Sequence, residues 1–252
     1  MTLKRRSETT KYMTIINSIV EQMQSLASEE RASVTRSFFK TGQGSYSEHD
    51  RFIGIRVPVL RRLAKEYIAL SLDNVAILLD SPIHEQRHLA LLIWTLQYKH
   101  KRTTEHDREQ IYNAYIRSWK HINNWDLVDT TTPHIMGEHL VNRPRDLLHE
   151  WSTDNNLWKR RMSIVATWTF IKRFDLDDTF KIATILLKDE EDLIHKAVGW
   201  MLREAGKVDR KRLVEFLEPH KHNMPRTMLR YSIEKFNPDE RNYFLSTSKS
   251  ST

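Results

Sequence analysis

Four stretches of the chain read alike: residues 87–94, 161–168, 196–203 and 226–233. They open on a cation, Arg87, Arg161, Lys196 and Arg226, and run largely apolar for two turns. Each follows a short apolar segment that ends in a polar turn, Leu78-Leu79-Asp80, Leu147-Leu148-His149, Leu186-Leu187-Lys188 and Phe216-Leu217-Glu218. Arg87 and Arg161 are 74 residues apart, and the midpoint falls on Asn124-Trp125, so the register points 87, 124, 161, 196 and 226 are spaced by 37, 37, 35 and 30. Units of this length cannot be single strands. They hold a pair of helices that buries its apolar side only by stacking on the next pair.

The expected fold is therefore all-α, a HEAT-like or armadillo-like helical-repeat solenoid with one continuous core and a concave face lined by the second helix of each pair. Only 6 Gly and 7 Pro in 252 residues agree with helices rather than many short strands. Apolar spacing of three and four predicts helices over 11–26 and 32–39, then over 58–69, 73–80, 84–99, 107–119, 124–140, 144–151, 157–172, 177–188, 191–205, 209–217, 224–236 and 238–245. The one long irregular stretch is 40–54, which holds three of the glycines, with Pro58 opening the next helix. Residues 1–10 and 246–252 read as disordered tails around a single domain at 11–245.

Several chemistries are excluded or disfavoured. The chain has no Cys, so disulfides, Cys zinc sites and a Cys nucleophile are ruled out. Gly42-Gln43-Gly44 lacks the Lys-Ser/Thr of a P-loop and any preceding strand. His84-Glu85-Gln86-Arg87-His88 spells H-E-x-x-H, but Leu91 and Trp94 stand where the longer zinc-protease motif needs Gly and His, and no third ligand follows in sequence. No metal or cofactor is expected. The basic N-terminus is not followed by a long apolar run, which predicts neither a signal peptide nor a membrane span and points to the cytoplasm.

The net charge is +7 and the isoelectric point about 9.5, a balance suited to a polyanionic partner. The repeat gives this charge a geometry. Arg87, Arg161, Lys196 and Arg226 hold equivalent positions, with Lys159, Arg160, Arg203 and Arg230 beside them, so they are expected to track along one basic groove that takes a phosphate backbone. Residues 56–65 add a basic amphipathic segment with Arg56, Arg61, Arg62 and Lys65. One stretch breaks the pattern, His121 to Thr131. On a helix Trp125 and Asp129 share a face while Leu127 and Val128 point elsewhere into a core. Alone, this reads as an amphipathic helix with a solvated acid. In a cationic groove a carboxylate repels DNA, so a chemical role accounts for Asp129 better than a binding one. Asp126, off the Trp125 face, reads as a capping or structural acid.

These residues carry a resemblance to a known family. Phe38 to Gly42, Asn123 to Asp129, Trp158 to Arg161, His195 to Glu204 and Met224 to Thr227 together resemble the AlkD-like DNA alkylation repair proteins, HEAT-like DNA glycosylases, over nearly the whole chain. The resemblance implies excision of N3- and N7-alkylated purines from double-stranded DNA without metal or cofactor, by a monomer. It implies that Asp129 is the catalytic aspartate, that Trp125 and Trp200 flank the lesion's sugar, and that Arg161 holds a phosphate. Tyr46 and Phe39 are its candidates for contacts from the N-terminal element. Two alternatives stay open: a HEAT-like DNA-binding relative that does not excise bases, and a protein-binding scaffold, which calls for an apolar concave face.

Overall fold

The computed structural model describes residues 15–246. The expected tail at 1–10, residues 11–14 of the expected first helix and residues 247–252 of the expected tail at 246–252 lie outside the described residues. The described part of that helix, α1, covers 15–25. There follow α2 (Glu29–Phe38), α3 (Val57–Glu66), α4 (Leu72–Leu79), α5 (His84–Lys99), α6 (Glu105–Arg117), α7 (Trp125–Thr132), α8 (Asp146–Ser152), α9 (Leu157–Ala166), α10 (Trp168–Ile171), α11 (Asp177–Ile185), α12 (Asp192–Val208), α13 (Arg210–His220), α14 (Arg226–Ser232) and α15 (Pro238–Leu245). Among the described residues there is no strand, only an isolated bridge between Arg51 and Ile83, and no helix long and apolar enough to cross a membrane. The all-α helical-repeat class is what the sequence predicts. By contact the chain divides into two compact units, Met1–Leu127 and Val128–Thr252.

In the first unit α5 is the centre. It packs on α3 and α4, and nearly every residue from His84 to Thr95 is buried. Leu60 and Leu63 of α3 and Val75 and Leu78 of α4 join its own Leu89, Leu91 and Ile93 in a core with almost no exposure. Each such side chain contributes about 1.5–3 kcal/mol of burial energy. α4 starts at the Ser71 hydroxyl, which accepts the Asn74 N–H, and α6 starts with a reciprocal Thr104–Asp107 capping box.

In the second unit α12 plays the same part. It packs on α9 and, most extensively, on α14, so the second helices of successive repeats stack as the periodicity requires. The closest approach is at Gly199, where an added Cβ would meet the Cβ of Tyr231 at 2.5 Å and the Met228 carbonyl oxygen at 2.6 Å. The ion pairs follow the repeat as well. Arg145–Asp178, Arg160–Asp189, Arg161–Asp129, Arg173–Glu138, Arg203–Glu234 and Arg212–Asp177 join residues 29 to 35 apart, one repeat length.

Two expected long helices are interrupted. The stretch predicted at 124–140 is α-helical to Thr132, widens into a π-helical turn, Pro133–Gly137, and returns to α for two residues before it ends. Pro133 lacks an N–H and its ring crowds the preceding turn, so the ladder cannot continue in α register. The stretch predicted at 157–172 breaks at Thr167, between α9 and α10. There the Thr167 hydroxyl donates to the Ile164 carbonyl and competes with the helix ladder.

The irregular stretch 40–54 is fixed by α5. The Glu85 carboxylate accepts the N–H groups of Ile53, Gly54 and Ile55, with the shortest contact 2.7 Å to Gly54. The His84 N–H donates to the Arg51 carbonyl at 2.8 Å. The acid of the H-E-x-x-H motif is thus a backbone anchor.

Candidate functional site

α7 carries the residues singled out in the sequence. Leu127 and Val128 are fully buried, as their spacing requires, whereas Trp125 and Asp129 are half-buried. The boundary between the two compact units falls within this helix, and each side has its own setting.

On the first-unit side, Trp125 lies against the N-terminal element. Its ring stacks on Phe39 with centroids 5.1 Å apart and planes at 14°, and the exposed Phe38 meets it edge-on at 5.8 Å. The indole N–H donates to the Tyr46 hydroxyl at 3.2 Å. Both aromatic candidates of the N-terminal element, Tyr46 and Phe39, therefore contact Trp125. Phe39 continues the stack onto Phe52 at 5.1 Å. One face of the indole is covered in this way, and Trp125 retains partial exposure.

Behind Trp125 is a buried polar network. Asn124 donates to the Ser47 hydroxyl at 2.6 Å and to Asp50 at 2.9 Å, and its own side-chain oxygen accepts the Trp125 N–H at 2.8 Å. His84 lies between two carboxylates, with Nε2 2.8 Å from Asp126 and Nδ1 3.3 Å from Asp50. Burial alone would lower the His84 pKa, but the charge and hydrogen bond of Asp126, then of Asp50, outweigh it and raise it to about 9. Burial dominates at His88, whose pKa is pushed down to about 4 despite the charge of Asp126. Asp126 is desolvated too, yet His84 holds its carboxyl below the usual range. Asp126 is the structural acid its position suggested. Asp50, which no sequence signal marks in a loop rich in polar residues, joins His84, Arg87 and Asn124 in this network.

On the second-unit side, Asp129 is held by Arg161. Arg161 Nε lies 3.0 Å from one carboxylate oxygen and Nη2 2.8 Å from the other, a two-pronged contact. Arg161 Nη1 donates to the Leu193 carbonyl in the first turn of α12. The Arg161 side chain is 6% exposed and that of Asp129 17%. Asp129 is thus not a lone acid, and Arg161 is not turned out toward solvent. The chemical capacity of the pair is a fixed, partly accessible carboxylate oriented by a guanidinium. Trp200 is half-buried on α12, directly after the close-packed Gly199.

The expected cationic track is largely neutralised. Arg87 is buried and pairs with Asp50 at 2.5 Å, a correction to its expected surface position. Three guanidinium contacts, to Asp50, to the Asn123 side-chain oxygen and to the Ser81 carbonyl, draw it inward. Lys159 pairs with Asp154, Arg160 with Asp189, Lys196 with Asp192, and Arg203 with Glu204 and Glu234. Arg226 is exposed and donates to the Leu245 carbonyl, and Arg230 is exposed with no acid partner among the described residues. In the first unit Arg56, Arg61, Arg62 and Lys65 are also exposed and likewise unpaired with acids. The i,i+4 pair Asp192–Lys196 could have been read from spacing. The pairs formed across a repeat could not.

Comparison with known proteins agrees with this architecture. The model of a family described as DNA alkylation repair enzyme matches residues 19–236. No curated protein matches. A solved structure described as "Predicted DNA alkylation repair enzyme from Enterococcus faecalis" is similar with a TM-score of 0.65 at 16% identity, covering 84% of this chain and 97% of that one. At that identity the likeness concerns the fold.

Proposed function

Since this chain belongs to the DNA alkylation repair enzyme family, and so has a role in DNA repair, we propose that it is a DNA glycosylase that excises N3- and N7-alkylated purines from duplex DNA, acting as a cytoplasmic monomer. The observation that carries this reading is the Asp129 carboxylate, gripped at both oxygens by Arg161 and still partly open to solvent.

An N3- or N7-alkylated purine is already cationic and leaves without protonation. As the C1′–N bond lengthens, positive charge develops on the deoxyribose. A carboxylate held in place stabilises that charge and orients the water that attacks C1′, without reorganising at the moment of reaction. The indole faces of Trp125 and Trp200 add attraction for a cationic sugar or base. Arg161 acts by fixing Asp129 rather than by gripping a phosphate, because its guanidinium is buried and engaged. The exposed cations Arg62, Lys65, Arg226 and Arg230 supply attraction for the DNA backbone.

One observation favours a second reading. Arg161 offsets the charge of Asp129, which weakens its pull on a sugar cation; a relative that binds damaged DNA without excising it would tolerate this. Incubation with methylated duplex DNA separates the two. Free 3-methyladenine or 7-methylguanine, with matching abasic sites, is the expected result. Tight binding with no free base would favour the second reading.

A further inference from the structure

The H-E-x-x-H stretch at the start of α5 lacks a third ligand in sequence, but the fold supplies one. His84 and His88 are i,i+4 and present both imidazoles on one helix face. Asp126 in the first turn of α7 meets that face. Its Oδ2 lies 2.8 Å from His84 Nε2 and 3.6 Å from His88 Nδ1, and the three donor atoms all fall within 4.8 Å of one another. A tetrahedral zinc centre with bonds of about 2.0–2.1 Å holds its ligands about 3.3–3.4 Å apart. We infer that His84, His88 and Asp126 bind a divalent transition-metal ion, zinc above all, inside the first unit.

Three features support a built site. The Asp50 carboxylate stands 3.3 Å from His84 Nδ1, behind the ligand nitrogen, where metal-bound histidines commonly have a carboxylate that orients the ring. Asp50 is itself locked by Arg87 and Asn124. The charges also favour a cation. Asp126 and the Asp50 carboxylate behind His84 bring two negative charges to the cluster, against the one guanidinium, Arg87, that Asp50 holds. Arg61 adds an opposing charge near His88, but from the exposed surface of α3, where solvent screens it. Finally, all three ligands are buried or nearly so. Metal binding replaces the proton between His84 Nε2 and Asp126 Oδ2 and releases it to solvent.

The ion would be structural, joining α5 to the first turn of α7. The Glu85 carboxylate, which serves as the base in zinc hydrolases with this motif, is occupied by the N–H groups of Ile53, Gly54 and Ile55. None of the ligands is Asp129, Trp125 or Arg161, so the inference is independent of the excision reading.

The test uses the untagged full chain after chelator treatment, titrated with Zn²⁺ in competition with a chromogenic chelator. One equivalent should bind and raise the thermal midpoint. Co²⁺ bound at the site should give visible d–d bands, and X-ray absorption at the zinc edge of the unmodified protein should show imidazole ligands. His88→Gln should weaken binding about 100-fold or more, and Asp50→Asn about 10- to 100-fold. Failure of the unmodified chain to bind a stoichiometric ion overturns the inference, as does binding that is unchanged in a folded His88→Gln protein. A zinc edge with no imidazole would overturn it whether or not the variants fold. The cluster would then be a network bridged by protons alone.

Discussion

At the scale of single residues the decisive arrangement is the fork of Arg161 on Asp129. A guanidinium offers parallel N–H groups to both carboxylate oxygens, and an ammonium cannot. Arg161→Lys keeps the charge and loses the fork, so Asp129 gains rotational freedom. Excision by this variant is expected to fall by about 10-fold or more, on the scale of lost positioning, while affinity for unmodified duplex changes little. Steady binding assays and single-turnover base release measure the two separately. A large loss of affinity with an unchanged excision rate would restore the phosphate-holding role that the resemblance implies for Arg161. Trp125 shows a related principle. Its stack on Phe39 and its bond to Tyr46 hold the ring in one orientation.

At the scale of elements, the placement of α7 depends on contacts made by its neighbours. Glu85 of α5 secures the 40–54 stretch, which in turn supplies Tyr46 and Asp50. Glu85→Ala should destabilise the protein by about 1–3 kcal/mol, since the buried N–H groups of Gly54 and Ile55 lose their acceptor. Amide exchange at Ile53, Gly54 and Ile55 should quicken first; unchanged protection there would show that Glu85 is not the anchor. A second element contact sets an acid limit. Burial alone would raise the Asp178 carboxyl of α11, but hydrogen bonds from Arg145 and His149 outweigh it and hold it below the ordinary 3.8. A carboxyl lowered by folding contributes stability above its unfolded value and loses it as pH falls through the folded one. Denaturant melts of Asp178→Asn and wild type should therefore differ near neutrality and converge below pH 3.8; a gap that persists at all pH values would mean packing, not charge.

The same elements show what could be read in advance. Spacing of three and four identified the buried side of α12, because burial is periodic along a helix. It placed Leu127 and Val128 inside, and Asp126 off the Trp125 face. It failed where a distant partner decides. Arg87 stands at the head of a repeat like Arg226, yet Asp50, 37 residues away, draws it into the core, whereas Arg226 stays exposed. Asp126, 38 residues beyond His88 along the chain, meets the H-E-x-x-H histidines only through the fold. The interruption at Pro133 was legible in the residue itself and was overridden by the apolar pattern on both sides.

At the scale of the whole molecule, a net charge of +7 draws the protein to DNA, but not every cation contributes equally. A cation already paired with an acid displaces fewer counterions from a phosphate. The slope of log affinity against log salt should therefore fall by about one for each of Arg62→Ala and Lys65→Ala if these cations meet the backbone, and by less for Lys159→Ala or Arg160→Ala. Equal effects at all four positions would mean that the ion pairs open on binding.

The most direct test compares wild type with Asp129→Asn in single-turnover release of 7-methylguanine from methylated duplex. The Asn side chain keeps the shape and one acceptor oxygen but loses the charge. Wild type should release free base, and the variant should be slower by about 100-fold or more while binding the duplex as tightly or more tightly. An Asn variant that excises at the wild-type rate would contradict the account of Asp129 as the group that stabilises the departing sugar.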